Sequence, residues 1–254
     1  MTEHSNAPSP GGPPPAPKVD ILERGGRTDG VQATLDHRLF MLLQCFVWAD
    51  RVTDPATAAE EISSRLQGQQ VPHVLYADVH HPRGFALLTW SVDPAHFIDV
   101  VRPVLQRADG LEIRSDLTML GRTYAVGYEK DLPFWLVERP PQNVTRPDWP
   151  WAIWYPLRRT GGFNLLDAKE RAGMLREHGA IGRAYGEAGL ATDVRLACHG
   201  LDPNDNDFVI GLIGQRLDAL TKVVETMRGT RQTAEWMEKL GPFFVGRVVR
   251  FWNG

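Results

Sequence analysis

The sequence predicts an α+β protein made of two tandem ferredoxin-like halves, each with the element order βαββαβ. Short runs of β-branched and aromatic residues alternate with segments of helical periodicity, and the same order of strands and helices occurs twice. A proline-rich segment at 138–147 separates the two occurrences, so we expect halves at 37–137 and 148–254 joined by this linker. The apolar fraction of 43% and the eight tryptophans are enough for a substantial core.

The first half follows a segment with a different composition. Residues 1–36 are rich in proline and glycine and carry few large apolar side chains before Val19, so we expect a disordered tail. Asp54 followed by Pro55 predicts the start of a helix that ends near Leu66. A second helix is expected after Asp93. The strands of this half are predicted at 37–48, 72–80, 84–91 and within 113–126.

The second half begins with a strand at 149–158, whose alternation places Tyr155 on one face and Trp154 on the other. Asp167, with Glu170 three residues later, is typical of a helix N-terminus. Further strands are predicted at 193–199, 208–213 and 243–249, with helices at 217–227 and 232–240.

The helix that starts after Asp167 carries a histidine on its apolar side. Met174, His178 and Ile181 recur at three- and four-residue intervals, which directs the imidazole toward the core. From the spacing alone, a core histidine bonded to a carbonyl is the commoner interpretation. Gly179 and Gly182 flank the ring, and their cost in a helix indicates that a flat or bulky group passes close to the backbone.

Four motif runs lie in this half: Tyr155-Pro-Leu-Arg-Arg159, His178-Gly-Ala-Ile-Gly-Arg-Ala-Tyr185, Met227-Arg228 and Gly241-Pro-Phe-Phe-Val-Gly246. Over about residues 38–250 the chain resembles the chlorite dismutase and coproheme decarboxylase family of heme proteins. The 23-residue spacing from Tyr155 to His178 is similar to that of the actinobacterial coproheme decarboxylases.

The resemblance implies a dimeric α+β barrel body in which His178 is the ligand of the heme iron. It also implies that Tyr155 is the tyrosine that becomes a radical and that Arg159 binds a heme propionate. Family members assemble as homo-oligomeric rings, often pentamers.

On the distal side of the heme the chain departs from the family pattern. An alignment on Val194 and Arg195 puts Leu196 at the distal position, and a second alignment puts Asp193 there. Arg195 would lie at the distal position only if the alignment were shifted by one residue. Such a shift moves every side chain of the strand to the other face of the sheet. The resemblance therefore disfavours chlorite dismutation, for which the family uses a distal arginine.

The distal histidine of the actinobacterial enzymes also has no counterpart, because the matching segment at 119–125 contains no histidine. A base for bound peroxide would have to come from elsewhere. The unassigned imidazoles that could supply it are His199, His80 and His81.

Composition excludes several other function classes. The net charge is −3 and no block of basic residues occurs, so neither a nucleic acid nor an anionic membrane surface is indicated as a partner. Cys45 and Cys198 form no CxxC pair, which fits a reducing compartment. No apolar run approaches the roughly 20 residues that cross a bilayer, and the N-terminus shows no hydrophobic signal region. We expect a cytoplasmic protein.

The sequence thus predicts a heme-dependent oxidoreductase, with peroxide-dependent decarboxylation of coproheme as the first hypothesis. Its partners would be the porphyrin, as both substrate and cofactor, and hydrogen peroxide. Two alternatives stay open: a heme-b peroxidase-like enzyme acting on another small substrate, and a heme carrier or sensor without turnover.

Overall fold

The computed structural model describes residues 18–49 and 54–254, and most of its strands belong to one sheet. The strands are β1 (Glu23–Thr28), β2 (Val31–Leu35), β3 (Phe40–Trp48), β4 (His73–Asp78), β5 (Gly84–Ser91), β6 (Leu111–Arg122), β7 (Trp151–Arg159), β8 (Thr192–Ala197), β9 (Phe208–Gly214), β10 (Met237–Leu240) and β11 (Phe244–Trp252). The helices are α1 (Pro55–Gly68), α2 (Arg102–Leu105), α3 (Arg139–Val144), α4 (Gly162–Leu165), α5 (Ala168–Glu187), α6 (Leu217–Arg228) and α7 (Arg231–Trp236).

The main sheet closes into a barrel. Within the described ranges its strand order is β10-β7-β11-β4-β5-β3-β6-β8-β9, and β9 also pairs with β7. All of these strands except β10 therefore form a ring of antiparallel pairs, and the barrel leaves few free edges. This is the predicted α+β barrel, and the fold class is confirmed.

Each strand of the barrel has an inner and an outer face. Trp154 and Tyr76 lie in the cluster that fills the interior, and both are almost completely buried. The interior is so tightly packed at Gly211 that a Cβ there would lie 2.6 Å from the Trp154 ring. The helices cover the outer face in two separate clusters, one that contains Ile62 of α1 and one that contains Tyr155 of β7. The predicted alternation along β7 is therefore confirmed.

The end of the predicted disordered tail has structure. Residues 1–17 lie outside the described residues, but β1 and β2 form an antiparallel hairpin. The buried carboxylate of Glu23 accepts hydrogen bonds from Arg38 Nε, Arg122 Nη1 and the backbone N–H of Ala125, each at 2.9 Å. The prediction of disorder up to residue 36 is wrong at this point because polar contacts to the barrel, rather than apolar burial, hold the hairpin.

Two other segments differ from expectation. The linker predicted at 138–147 contains α3, because the prolines of this segment occupy the first turn, where no backbone donor is needed. The helix predicted at 232–240 ends at Trp236, and the chain continues as β10. Met237 is paired there with Arg159 of β7, so a long-range strand pairing overrides the local helical pattern.

Candidate functional site

Helix α5 lies against the outer face of the barrel but buries little of its own surface. The Asp167 side chain accepts from the backbone N–H groups of Lys169 and Glu170 at 2.8 and 2.9 Å, which confirms the predicted N-cap. Over its 20 residues only Met174 is fully buried. A Cβ at Gly179 would meet no heavy atom within 4 Å, so the helix backbone borders open space there.

His178 is half-buried on α5 and makes one side-chain hydrogen bond. Its Nδ1 lies 3.3 Å from Oγ1 of Thr230, the N-cap residue of α7. Burial lowers the pKa of His178, and the cations of Arg159 and Arg195 lower this pKa further. The imidazole is therefore neutral at neutral pH, which is the form that binds a metal ion.

Tyr155 is buried on the face of β7 that looks toward the helices. Its ring packs against Phe243, with centroids 4.8 Å apart and an angle of 32° between the planes. Burial raises the pKa of the Tyr155 phenol far above its ordinary value, and the charge of Asp193 acts in the same direction. Tyr155 is thus a neutral phenol at any physiological pH.

Arg159 lies at the end of β7, four residues after Tyr155, so the two side chains are on the same face of the strand. The guanidinium is held between the rings of Phe163 and Phe208, at 4.6 Å from each centroid. Burial lowers the Arg159 pKa, its Nε is buried without a hydrogen-bond partner, and it forms no ion pair with any described residue. A cation in this state is suited to bind an incoming carboxylate.

The neighbouring Arg158 has a different environment. Its guanidinium pairs with Asp205 at 3.3 Å and with Glu238 at 2.9 Å, and it is on the other face of the strand. Of the two arginines at this strand end, Arg159 is therefore the one without an ion pair among the described residues.

The structure corrects the prediction for Leu196. This side chain is almost fully buried in the barrel interior, in the same cluster as Trp154, on the face opposite to Tyr155. Arg195 takes the outer face instead, because it is paired with Ile210 of β9, and Ile210 is paired with Tyr155. The alignment on Val194 misplaced the register by one residue, and such a slip exchanges the two faces of a strand.

Arg195 belongs to a charged group on the outer face of β8. Its Nε lies 3.2 Å from Oδ2 of Asp193, and the other carboxylate oxygen of Asp193 lies 3.0 Å from Nη2 of Arg139. The Arg195 cation lowers the pKa of His178, whereas the neighbouring Asp193 carboxylate raises it, and both effects are smaller than that of burial.

Tyr124 is a residue of this site that the sequence did not identify. Its ring lies 5.3 Å from that of Phe208, and burial raises its pKa while the charges of Arg195 and Arg159 oppose the rise. Tyr124 and Arg195 together line a small pocket that also contains Glu129. Tyr124 lies in the segment 119–125, which corresponds to the segment with the distal histidine in the actinobacterial enzymes.

Of the three histidines that could supply a base for bound peroxide, two lie in the first half of the chain and one is on the surface. His80 and His81 are in the turn between β4 and β5, in the first half of the chain. His199 is exposed, with its ring 5.2 Å from Phe208 and its Nδ1 3.5 Å from Asp207. The structure therefore brings neither His80 nor His81 to His178.

The surroundings of His178 constrain what kind of metal group could bind there. Within residues 18–49 and 54–254 no group of three or more His, Cys, Asp or Glu side chains could hold a metal ion. A metal bound to His178 would need its remaining ligands from a cofactor. A cleft of about 250 Å³ lies at α6, α7 and β10 and is lined by none of His178, Tyr155 or Arg159. In the same ranges no helix has the length and apolar character needed to span a membrane.

Two curated relatives are similar to part of this chain. A coproheme decarboxylase from Thermus thermophilus is 35% identical over 103 residues, which is 39% of each chain. One from Oceanobacillus iheyensis is 32% identical over 109 residues, 41% of this chain and 42% of the relative. The matched stretches thus span less than half the length of these relatives.

Solved structures share the fold over more of the chain. A heme-binding protein from Thermus thermophilus has a TM-score of 0.66 at 21% identity, covering 84% of this chain and 92% of the other. A mutant chlorite dismutase from Candidatus Nitrospira defluvii has a TM-score of 0.65 at 13% identity, covering 85% and 93%. The profile described as chlorite dismutase matches residues 111–249, which is more than half of the chain. The chain therefore belongs to the chlorite dismutase family.

Proposed function

We propose that this protein is a coproheme decarboxylase, which binds coproheme and uses hydrogen peroxide to convert propionates to vinyl groups with release of carbon dioxide. The observation that carries the proposal is the grouping of three side chains around the space beside α5. The charge of Arg159 acts on His178, and Arg159 lies on the same face of β7 as Tyr155. The names of the two curated relatives support the same activity.

The residues present fit a porphyrin with carboxylate groups. His178 offers a neutral imidazole whose Nδ1 is held by Thr230, so its Nε2 is the nitrogen for the iron. Arg159 offers unpaired donors for a propionate, and the two rings that enclose its guanidinium fix its orientation. Open space beside Gly179 accommodates a flat ring.

Tyr155 would be the residue that is oxidised and reduced again. The heme supplies the oxidising chemistry when peroxide is present. Because the raised pKa keeps the Tyr155 phenol protonated, its oxidation releases a proton together with the electron. The phenoxyl of Tyr155 would return to the phenol by taking a hydrogen atom from a propionate methylene. Conversion of one propionic acid side chain to a vinyl group and carbon dioxide would release two electrons and two protons in all, and these would reduce one hydrogen peroxide to two waters.

A mass measurement tests the proposal. Apoprotein loaded with coproheme and given peroxide should lose the mass of the carboxyl groups stepwise. Tyr155→Phe should bind coproheme as the wild type does but form no vinyl product. Tyr128→Phe is the matched control, since that tyrosine is 68% exposed and should leave turnover unchanged. An unchanged porphyrin in the wild type, or turnover that survives in Tyr155→Phe, would contradict the proposal.

The position of Arg195 favours a second candidate, a heme-b enzyme that acts on a small anionic substrate. The sequence argument against chlorite depended on an apolar residue at the distal position, and Leu196 lies in the barrel interior. Arg195 is a cation on the outer face of the sheet, the face that also carries Tyr155. Release of oxygen from chlorite by the protein loaded with heme b, and its loss in Arg195→Leu, would establish this candidate. A heme carrier would give no product in either assay.

The quaternary state is a separate proposal that rests on the family resemblance. We propose a homo-oligomer, with a pentameric ring as the expected form. Light scattering on the eluting peak of a sizing column measures it directly, and a monomeric mass at micromolar concentration would contradict it.

A further inference from the structure

We infer that Thr230 is a positioning residue that determines which nitrogen of His178 carries the proton. It holds the imidazole as a neutral ligand with Nε2 free. The inference rests on the proposed function, in which His178 binds the iron, and concerns a residue at the start of α7, 52 positions away along the chain.

The hydrogen bonds of the Thr230 hydroxyl fix the direction of the contact. A hydroxyl has one proton to donate, and a backbone carbonyl can only accept. Thr230 Oγ1 lies 2.8 Å from the carbonyl oxygen of Met227, which is the usual O–H···O distance, whereas Thr233 Oγ1 and His178 Nδ1 are at 3.2 and 3.3 Å. The hydroxyl therefore donates to Met227, and its oxygen accepts from His178. Nδ1 carries the proton, and Nε2 keeps its lone pair.

The surroundings hold Thr230 in this arrangement. The residue is 2% exposed, so water does not compete for its hydroxyl. Its side chain also caps α7 by accepting from the backbone N–H of Thr233 at 3.4 Å. Rotation of the side chain would cost the bond to Met227 and the cap together.

The kind of group that accepts the hydrogen bond from His178 Nδ1 determines the charge of the imidazole. A carboxylate in the place of Thr230 would draw the Nδ1 proton strongly and give the imidazole anionic character. A neutral hydroxyl is a much weaker acceptor than an ionised carboxylate, so the proton stays on Nδ1. A neutral ligand donates less electron density to iron and keeps its reduction potential higher than an anionic ligand would.

The first experiment uses the apoprotein, so that it does not depend on heme binding. Two-bond ¹H–¹⁵N correlation spectra of the histidine ring report the protonated nitrogen. Wild type and Thr230→Ser should show His178 with its proton on Nδ1. Thr230→Val should shift the ring toward the form with the proton on Nε2. A wild-type spectrum with the proton on Nε2 would overturn the inference even if His178 binds iron.

The second experiment uses the heme-loaded protein and two variants with opposite effects. Thr230→Asp keeps the cap and supplies a carboxylate, so the iron–histidine stretching frequency should rise and the reduction potential should fall. Thr230→Val removes the acceptor, so the stretching frequency should fall. Loss of the α7 cap cannot explain shifts in opposite directions. Identical frequencies in all three proteins would overturn the inference, whereas loss of the histidine band in His178→Ala tests the proposed ligand separately.

Discussion

Replacement of Arg159 by methionine should leave the free energy of unfolding nearly unchanged but weaken the binding of coproheme. The guanidinium has no ion pair with a described residue, and its Nε is buried without a partner, so its burial costs free energy. The contacts of the guanidinium with the rings of Phe163 and Phe208, at 4.6 Å from each centroid, stabilise the folded state by about 0.5–1 kcal/mol each. Methionine keeps apolar contact with both rings and removes the charge. We therefore expect the free energy of unfolding of the apoprotein to change by no more than about 1 kcal/mol.

Coproheme binding should respond much more strongly. A hydrogen bond to a charged group contributes about 1.5–3 kcal/mol. At about 1.4 kcal/mol for each tenfold change, Arg159→Met should weaken coproheme binding by about 10- to 150-fold. Because the lost contact is to a carboxylate, affinity for the tetramethyl ester of coproheme should change far less.

Titration of the apoprotein with both porphyrins, followed by absorbance, measures this difference. Arg158→Met is the matched control, since that cation is already paired with Asp205 and Glu238, and it should leave both affinities within about twofold of the wild type. Equal losses for the acid and the ester, or wild-type affinity of Arg159→Met for coproheme, would refute the assignment of Arg159 to a propionate.

Three further changes test the fold. Glu23→Gln weakens the bonds that anchor the N-terminal hairpin, so amide exchange there should accelerate while the barrel strands stay protected. Gly211→Ala places a methyl group 2.6 Å from the Trp154 ring and should lower the free energy of unfolding, measured by urea titration, by about 1–3 kcal/mol. An unchanged free energy of unfolding would contradict this packing. Acid should destabilise the apoprotein, because His73 and His178 have lowered pKa values in the fold and each takes up a proton on unfolding. The free energy of unfolding should thus fall as the pH drops below about 6.5, by up to about 1.4 kcal/mol per pH unit and group; a rise would contradict the sign.

The parts of the fold that could be predicted are those encoded locally. Asp54 with Pro55, and Asp167 with Glu170, form N-caps from residues within one turn, and both helices begin where these residues indicate. The two faces of β7 could be assigned because side chains alternate between the faces along the nine residues of this strand.

The parts that could not be predicted depend on distant contacts. Glu23 holds the hairpin through Arg122, 99 positions away, and the sequence around neither residue indicates the pairing. The face that Leu196 takes depends on the register of β8 against β9, which the residues of β8 alone do not determine. The place of Tyr124 in the site depends on its packing against Phe208, 84 positions away along the chain.

The charges around His178 connect the binding of the ring to the binding of its carboxylates. Arg159 and Arg195 lower the pKa of His178, and Arg195 is balanced by Asp193 whereas Arg159 has no ion-pair partner among the described residues. A propionate that pairs with Arg159 neutralises one of the two cations and so reduces its effect on the imidazole. By linkage, a neutral imidazole bound to iron and a carboxylate bound to Arg159 affect each other by the same free energy. Under the proposed function, the site would therefore select a porphyrin by its carboxylate side chains as well as by its iron, as an enzyme acting on propionates requires.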